Sequence, residues 1–457
     1  MFLAKRKVGY FTLFTDQLAK MADQKRNVFF TLTMFQSTHL KSHYDVVIVG
    51  GGQAGLSVSH YLKQANIDHV VLEKEDCLTH SWRKKRWDNF TLVTPNWQCL
   101  LPDHPYHGNE PDGFMKRDEI VDYLDGFIEK LNPPAVLNIT VQQVRKIAEQ
   151  HFEIQTSQGK TTANQVVVAA GGYHTPIYPK LSSELPQHFY TIHSEQYLNP
   201  EQLPEGNVLV VGSGQSGAQI AEDLHLAGKK VYLSIGDAPR CARFYRGKDV
   251  VKWLFDMGYY ETNVKDHCYS EEVRNSTNHY VTGRDGGRDI DLRKFALEGM
   301  QLFGRFSDYE NGSLKFQPNL VQNLDNADAT YNRINASIDA YIEQNAIETS
   351  VYTPVWQPKA EQTEINLAEE NITSIIWCVG FKPDYSWIDL DIFEASGYPK
   401  HHRGITMDPD VSFIGLPWLY TWGSGRFLGI DQDSRYLSEH LIQRHRMFKE
   451  KYAEMIA

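Results

Sequence analysis

Two glycine hexads constrain this chain more than anything else in it. The first is Gly50-Gly51-Gly52-Gln53-Ala54-Gly55 and the second Gly212-Ser213-Gly214-Gln215-Ser216-Gly217. Each follows a short run rich in valine, at 45–49 and 207–211, and opens a helix-like stretch, at 53–64 and 215–227. A second apolar run closes each pattern, at 69–72 and 230–235. Strand, glycine turn, helix and strand in that order specify a βαβ unit, because parallel strands need a crossover and the turn needs residues without a Cβ. The unit occurs twice, so the expected fold is α/β with two Rossmann-like dinucleotide-binding domains.

The residue types say what each turn is for. Gly50 permits the tight turn, Gly52 lets the backbone approach a pyrophosphate, and Gly55 lets the helix pack on its strand. Gln53 and Ala54 begin the helix whose amides face the phosphates. Glu73 ends the next strand, where a carboxylate accepts hydrogen bonds from an adenosine ribose. Gly212, Gly214, Gln215, Ser216 and Gly217 repeat the arrangement, but that strand ends without an acid. Ser234 stands there, with Arg240 and Arg243 shortly after. A carboxylate would repel a 2′-phosphate, whereas a hydroxyl and guanidiniums would bind one. The second half therefore reads as an NADPH site; the other reading of the arginines is a solvated loop. Two such sites in one chain point to one bound flavin, FAD, and one exchanging nicotinamide.

Composition limits the remaining classes. The chain has 457 residues, beyond the ~100–200 of a single domain, with 41% hydrophobic and 23% charged residues, a globular balance. Mean hydropathy is −0.45, and no apolar run approaches the ~20 residues of a spanning helix, so integral membrane association is not expected. A net charge of −11 argues against a nucleic-acid partner. Cysteines at 77, 99, 241, 268 and 378 form no secreted framework, zinc pattern or redox CxxC. They read as small buried hydrophobes in a reducing, cytoplasmic compartment, with no metal expected. Their spacing also excludes a disulfide reductase that stores electrons in a neighbouring cysteine pair. Residues 1–43 are basic in an acidic protein. They read as a targeting extension or, preferably, as an over-extended start with translation beginning at Met21 or Met34.

Further segments resemble the flavin-containing monooxygenases and their bacterial relatives often labelled "flavoprotein involved in potassium transport". Ser81-Trp82-Arg83, Arg86-Trp87 and Thr91-Leu92-Val93-Thr94-Pro95-Asn96 look like that family's flavin-side segment. Residues 166–172, with Gly171, resemble the strand and turn after its small sheet. Residues 376–381, with Gly380, resemble its late strand-plus-glycine motif, and 422–425, with Gly425, its closing turn. The resemblance implies cofactor contacts at Trp82, Arg83, Gly171, Gly380 and Gly425, and places Asn96 beside flavin and nicotinamide as the catalytic candidate. His193 keeps the second half of the motif between the hexads, but Gln187 and Phe189 stand where the family has Phe and Gly, and no Trp-Pro ending marks the Baeyer–Villiger branch.

What the resemblance implies is a FAD domain from 44–200 and 346–457, with an NADPH domain inserted at 201–345. The proline-containing stretches 176–186 and 200–204 read as crossings between them. The implied reaction is an NADPH-driven monooxygenation of a small organic substrate by molecular oxygen through a flavin C4a-hydroperoxide. A second copy of the chain is a candidate partner. Two rivals stay open: an NADPH-dependent flavoprotein reductase without oxygen insertion, and a FAD-binding regulatory protein. The charged stretch 283–291 reads either as a loop closing over NADPH or a polar substrate, or as a salt-bridged surface turn. Trp253, Phe255, Tyr259 and Tyr260 line a pocket or belong to the core.

Overall fold

In the computed structural model, which describes residues 40–343 and 351–456, both hexads lie at the carboxyl ends of buried strands. The basic segment up to residue 39, its candidate starts and the expected boundary at 345 lie outside the described residues. The first apolar run forms β1 (His43–Val49), whose Val46, Val47 and Ile48 have no exposed surface. Burying each is worth about 1.5–3 kcal/mol, so this strand sits in the middle of its sheet. Helix α1 (Gln53–Gln64) turns Leu56, Val58 and Leu62 inward and ends where Asn66 takes a left-handed conformation. Strand β2 (His69–Leu72) then pairs parallel to β1. Helix α2 (Arg117–Leu131) leads to β3 (Ala135–Val136), beside β2. An antiparallel run of β4 (Val141–Ala148), β5 (His151–Thr156) and β6 (Gly159–Val168) brings β6 back parallel to β1 on its other side.

The chain then crosses. Strand β7 (Tyr190–His193) opens a second sheet, followed by β8 (Asn207–Val211), α3 (Gln215–Leu226), β9 (Val231–Ser234) and β10 (Gln301–Phe303). Helix α3 ends at the left-handed Gly228, as α1 ends at Asn66. A small antiparallel sheet of β11 (Phe306–Glu310), β12 (Ser313–Phe316) and β13 (Glu364–Asn366) flanks it, with α4 (Leu320–Ile342) between β12 and β13 in sequence. Strand β14 (Ile372–Trp377) then inserts between β7 and β8, giving the parallel order β7-β14-β8-β9-β10. The chain returns to the first sheet at Ile388–Asp389, beside β4, and again as β15 (Val411–Phe413), beside β6, before α5 (Phe427–Ile456), packed on α1.

Two expected boundaries are corrected. Strands β7 and β14 belong to the second sheet, although 201–345 was expected to hold all of it. Ile375, Ile376 and Trp377 are wholly buried, and a strand apolar on both faces fits the interior of either sheet. The proline-containing stretch 176–186 does cross between sheets, whereas 200–204 only joins β7 to β8. The outward and return crossings meet: Thr175–Pro176 pairs antiparallel with Phe381–Lys382.

Candidate functional site

The two glycine turns are nearly the same object built twice. Gly50 has φ +116°, and a Cβ there would lie 2.5 Å from the carbonyl oxygen of Ala169, just beyond β6. Gly212 has φ +103°, and its Cβ would lie 2.6 Å from the carbonyl oxygen of Cys378, just beyond β14. Inside the helices, a Cβ on Gly55 would fall 2.1 Å from Gly50 O, and one on Gly217 would fall 1.8 Å from Gly212 O. Those glycines are demanded by the fold. The middle ones are not: Gly52 has nothing within 4 Å of its Cβ position, and Gly214 has only Thr277 at 3.8 Å. Both have ordinary backbone angles and act as N-caps without a side-chain cap. Open space before uncapped helix amides is what a pyrophosphate requires, so both cradles fit a dinucleotide.

The first cradle is closed by Glu73, which is buried at the end of β2. Its Oε2 accepts from Gly51 N at 2.6 Å and its Oε1 from Glu75 N at 3.0 Å. Gln53 accepts from the Trp82 indole at 3.0 Å, and Trp82 stacks on Phe427 with centroids 5.4 Å apart. Ala54 lies 2.8 Å from where a Gly415 Cβ would be, and Gly425 (φ +76°) turns the chain into α5. Arg83, expected at the cofactor, makes a bidentate pair with Asp125 of α2. At the second cradle the Gln215 amide holds Val281 from both sides, at 2.5 and 3.2 Å, and Ser216 is half-buried in the first turn of α3. Gly171 and Gly380 both have positive φ and follow the strands opposite Gly50 and Gly212. His193, wholly buried, meets Gly380 O through Nε2 at 3.1 Å and the Phe381 ring at 4.7 Å. Burial lowers its pKa. It is a hinge residue at the crossing.

The phosphate cations expected after β9 are placed elsewhere, and the reason is charge matching. Arg240 is 3% exposed, pairs with Asp328 at 2.7 Å and Asp291 at 3.7 Å, and lies between the Tyr331 and Tyr352 rings. Arg243 is fully buried, pairs with Asp249, donates to Val93 O at 2.8 Å and covers the Phe114 ring. Ser234 donates to Gly304 O at 3.1 Å and accepts from Phe306 N at 2.9 Å, which turns its hydroxyl into the sheet. Ser234 is satisfied within the sheet, and both arginines are held by acids of the chain, with Arg240 Nη2 and Arg243 Nε left without a hydrogen-bond partner.

Asn96, the catalytic candidate, is likewise held by its own chain. Its side chain is buried, donates to Glu110 O at 2.9 Å and accepts from Met115 N at 2.8 Å, fastening the 110–115 loop. Two residues on, Gln98 is 1% exposed and its amide makes no well-formed hydrogen bond, with only the Tyr260 hydroxyl facing it; the Trp97 indole nitrogen is likewise buried and unpartnered. Trp97 packs on Phe255 and Tyr260 on Trp422, at 4.9 and 4.7 Å. Buried polar atoms without partners are rare in a finished core and mark a surface that meets something. Of the four aromatics singled out, Tyr260 belongs to this wall, Phe255 and Tyr259 are exposed, and Trp253 is fastened to Tyr245 O. No motif signals Gln98; only its buried, poorly bonded amide does.

The charged stretch 283–291 is a salt-bridged turn, exposed at Asp285, Gly286 and Asp289, whose arginines reach inward. Arg284 pairs with Asp223 at 2.5 Å and Arg288 with Glu222 at 2.9 Å, both acids on α3 and both buried. Burial raises the Glu222 pKa. Asp223 also accepts from Asn89 at 3.0 Å and from the Tyr197 hydroxyl at 2.7 Å. Gly283 presses on the first domain, since a Cβ there would lie 2.2 Å from Leu92 O. The stretch is a strap between the two sheets.

Residues 47–295 match the family described as pyridine nucleotide-disulphide oxidoreductase. The chain belongs to that family. It is 30% identical over 403 residues to an "uncharacterized oxidoreductase CzcO-like" of Geobacillus kaustophilus, covering 87% of this chain and 98% of that one. It is also 30% identical over 179 residues to a probable indole-3-pyruvate monooxygenase, YUCCA4, of Arabidopsis thaliana, covering 39% and 43%. Among solved structures, a flavin-containing monooxygenase from Stenotrophomonas maltophilia superposes with TM-score 0.60 at 20% identity, covering 88% and 98%. The chain is thus an oxidoreductase of that family, with the fold of the flavin-containing monooxygenases. Its five cysteines are free, and Cys99, Cys241 and Cys378 are buried. Among the described residues no helix is long and apolar enough to cross a membrane.

Proposed function

We propose that this oxidoreductase is a FAD-dependent, NADPH-using monooxygenase acting on a small organic substrate with molecular oxygen. The observation that carries this reading is the pair of matching phosphate cradles on two separate sheets, with buried polar atoms of Trp97, Gln98 and Tyr260 beside a partly buried aromatic wall. FAD fits the first cradle, where Glu73 can accept from ribose hydroxyls once they compete for it, and NADPH fits the second. When bound, the flavin supplies two-electron exchange with the nicotinamide and activation of oxygen. The chain supplies the rest. The N-termini of α1 and α3 neutralise the pyrophosphates. Gln98 offers a donor and an acceptor, and Trp97 and Tyr260 add further polar atoms, to hold the polar edge of a ring or substrate. The aromatic wall keeps water from that place, which strengthens each of those hydrogen bonds. The likeness to part of the plant indole-3-pyruvate monooxygenases supports oxygen insertion over simple reduction.

Anaerobic titration of the purified flavoprotein with NADPH should bleach its flavin. Admitting isotopically labelled oxygen with a panel of amines, thioethers, ketones and indoles should then yield one labelled oxygen atom per product. A flavin that stays oxidised refutes the two-cofactor reading, and peroxide accounting for all NADPH in every case refutes oxygen insertion.

A further inference from the structure

Between Glu73 and the short helix His80–Lys84, three side chains of different chemistry converge. The Cys77 Sγ lies 3.7 Å from His80 Nδ1, and His80 Nδ1 lies 3.5 Å from Asp76 Oδ1. The three ligand atoms all fall within 4.8 Å of one another. Tetrahedral zinc with bonds of about 2.0–2.1 Å to nitrogen and oxygen and about 2.3 Å to sulfur separates its ligand atoms by roughly 3.4–3.6 Å. The observed separations therefore need only small side-chain rotations to enclose such an ion. The other ring nitrogen of His80 lies 3.8 Å from Glu75 Oε2. A carboxylate on that side of the ring is placed to become the outer partner usual for a metal-bound histidine, with Nδ1 turned to Cys77 and Asp76. Thr79, in a left-handed turn and hydrogen-bonded from its N–H to Gly51 O at 2.9 Å, brings His80 back over Cys77. His80 is mostly covered while Asp76 is mostly exposed, so an ion has both an entry path and a fourth position for water.

We propose that Asp76, Cys77 and His80 form a binding site for a divalent, thiophilic metal ion of the zinc class, with Glu75 orienting the histidine. The donor set of one thiolate, one imidazole and one carboxylate suits zinc, cobalt or cadmium rather than magnesium or calcium, which take oxygen ligands. Binding breaks the S–H bond as the metal–sulfur bond forms, and one proton leaves to solvent, because a thiolate rather than a thiol is the ligand. The oxidation state of the metal does not change. The site is separate from the cradle chemistry, since it uses none of the glycines and leaves the Glu73 oxygens to Gly51 and Glu75.

Calorimetric titration of the flavin-bound protein with Zn²⁺ should give one ion per chain, with about one proton released. Co²⁺ should give tetrahedral ligand-field bands to the red of the flavin spectrum, together with thiolate charge transfer. Cys77→Ser and His80→Gln should each weaken binding by more than about a hundredfold, because losing even an outer partner costs 10–100-fold. Glu75→Gln should cost about tenfold. Cys268→Ser, at an exposed cysteine beside His267, should change nothing. Flavin content and NADPH oxidation should be unchanged in Cys77→Ser, which reports that the variant is folded. The proposal is overturned by an absence of tetrahedral Co²⁺ bands, by unchanged Zn²⁺ affinity in a folded Cys77→Ser or His80→Gln, or by loss of binding in Cys268→Ser.

Discussion

The middle and last glycines of the second hexad make opposite demands, and exchanging each for alanine separates cofactor binding from folding. Gly214 has φ −65° and only Thr277 near its Cβ position, at 3.8 Å. Gly214→Ala should therefore fold with its stability changed by no more than about 1 kcal/mol, the N-cap difference between the two residues. Its new methyl would occupy the space through which a pyrophosphate reaches the α3 amides. Losing one charge-assisted amide–phosphate bond costs about 1.5–3 kcal/mol, so the KM for NADPH should rise about 10- to 150-fold. Gly217→Ala does the reverse. Its Cβ would lie 1.8 Å from Gly212 O, and real contacts begin near 3.0 Å, so α3 must move outward by more than an ångström. Overpacking of that kind costs about 1–3 kcal/mol, and the displaced helix should lower both the melting temperature and nicotinamide binding. Thermal melts of the two variants, with NADPH saturation curves on each, test both halves. A Gly214→Ala variant with unchanged KM, or one as destabilised as Gly217→Ala, would refute the reasoning.

Arg240→Ala should cost about 1–3 kcal/mol of stability, because Asp328 keeps only Arg293 and Asp291 only Tyr352 and backbone N–H groups, and the KM values for NADPH and NADH should move together. A selective rise for NADPH in a well-folded protein would restore Arg240 to the phosphate site. Asn96→Ala should lower the melting temperature by removing the partners of Glu110 O and Met115 N, at about 1–3 kcal/mol each, without changing peroxide released per NADPH. Uncoupling without destabilisation would return Asn96 to the catalytic list. Asp433, in α5, is pushed up to about 6, chiefly by burial. The folded state then holds a proton that the unfolded state has lost between pH ~4 and 6, so stability falls as pH rises through that window. Asp433→Asn should remove the fall and stabilise the protein by up to about 3 kcal/mol at pH 7.5, at 1.36 kcal/mol per unit of pKa. Melts at pH 4.5 and 7.5 check this, and an equal effect at both would contradict it.

The parts of this molecule that were legible in its sequence are those where sterics leave no choice. Gly50, Gly55, Gly212 and Gly217 sit where a Cβ has no room, and the flanking valine-rich runs needed two buried faces, so both βαβ units fall within a residue or two of their expected bounds. Glu73 was legible for the same reason, as the acid closing a short strand. Charge was not legible, because the meaning of an arginine depends on acids far away in the chain. Arg240 finds Asp291 and Asp328, and Arg243 finds Asp249, and neither partner is marked by spacing or motif. Asn96 was read as chemistry because of its segment, yet its amide answers to backbone at 110–115. Gln98 carried no signal at all, since an uncharged amide becomes informative only when burial leaves it without a well-formed hydrogen bond. The Asp76-Cys77 and His80 spacing was visible, but no sequence rule says that a left-handed Thr79 folds it into a cluster.

The buried arginines have a common physical role once their partners are known. Two independently folded sheets would meet through a loose, wet interface unless something specific crosses it. Here the crossing strands pair at Thr175–Pro176 and Phe381–Lys382, Arg243 reaches from the second domain to Val93 O of the first, and Asn89 of the first domain reaches Asp223 on α3. The 283–291 strap then holds Arg284 and Arg288 over the same helix, while Gly283 presses against Leu92 O. Asp223 thus takes three donors, from Asn89, Tyr197 and Arg284, drawn from both sides of the junction. A buried carboxylate with that many partners is costly to leave half satisfied, so the arrangement specifies one relative placement of the two cradles rather than a range of them. A reaction between two bound dinucleotides depends on distance and orientation more than on any acid or base, and a misplacement of an ångström can cost a hundredfold in rate. Arg243, read in the sequence as a cofactor ligand, therefore also serves the same chemistry from the outside, by helping to fix where the two cradles stand.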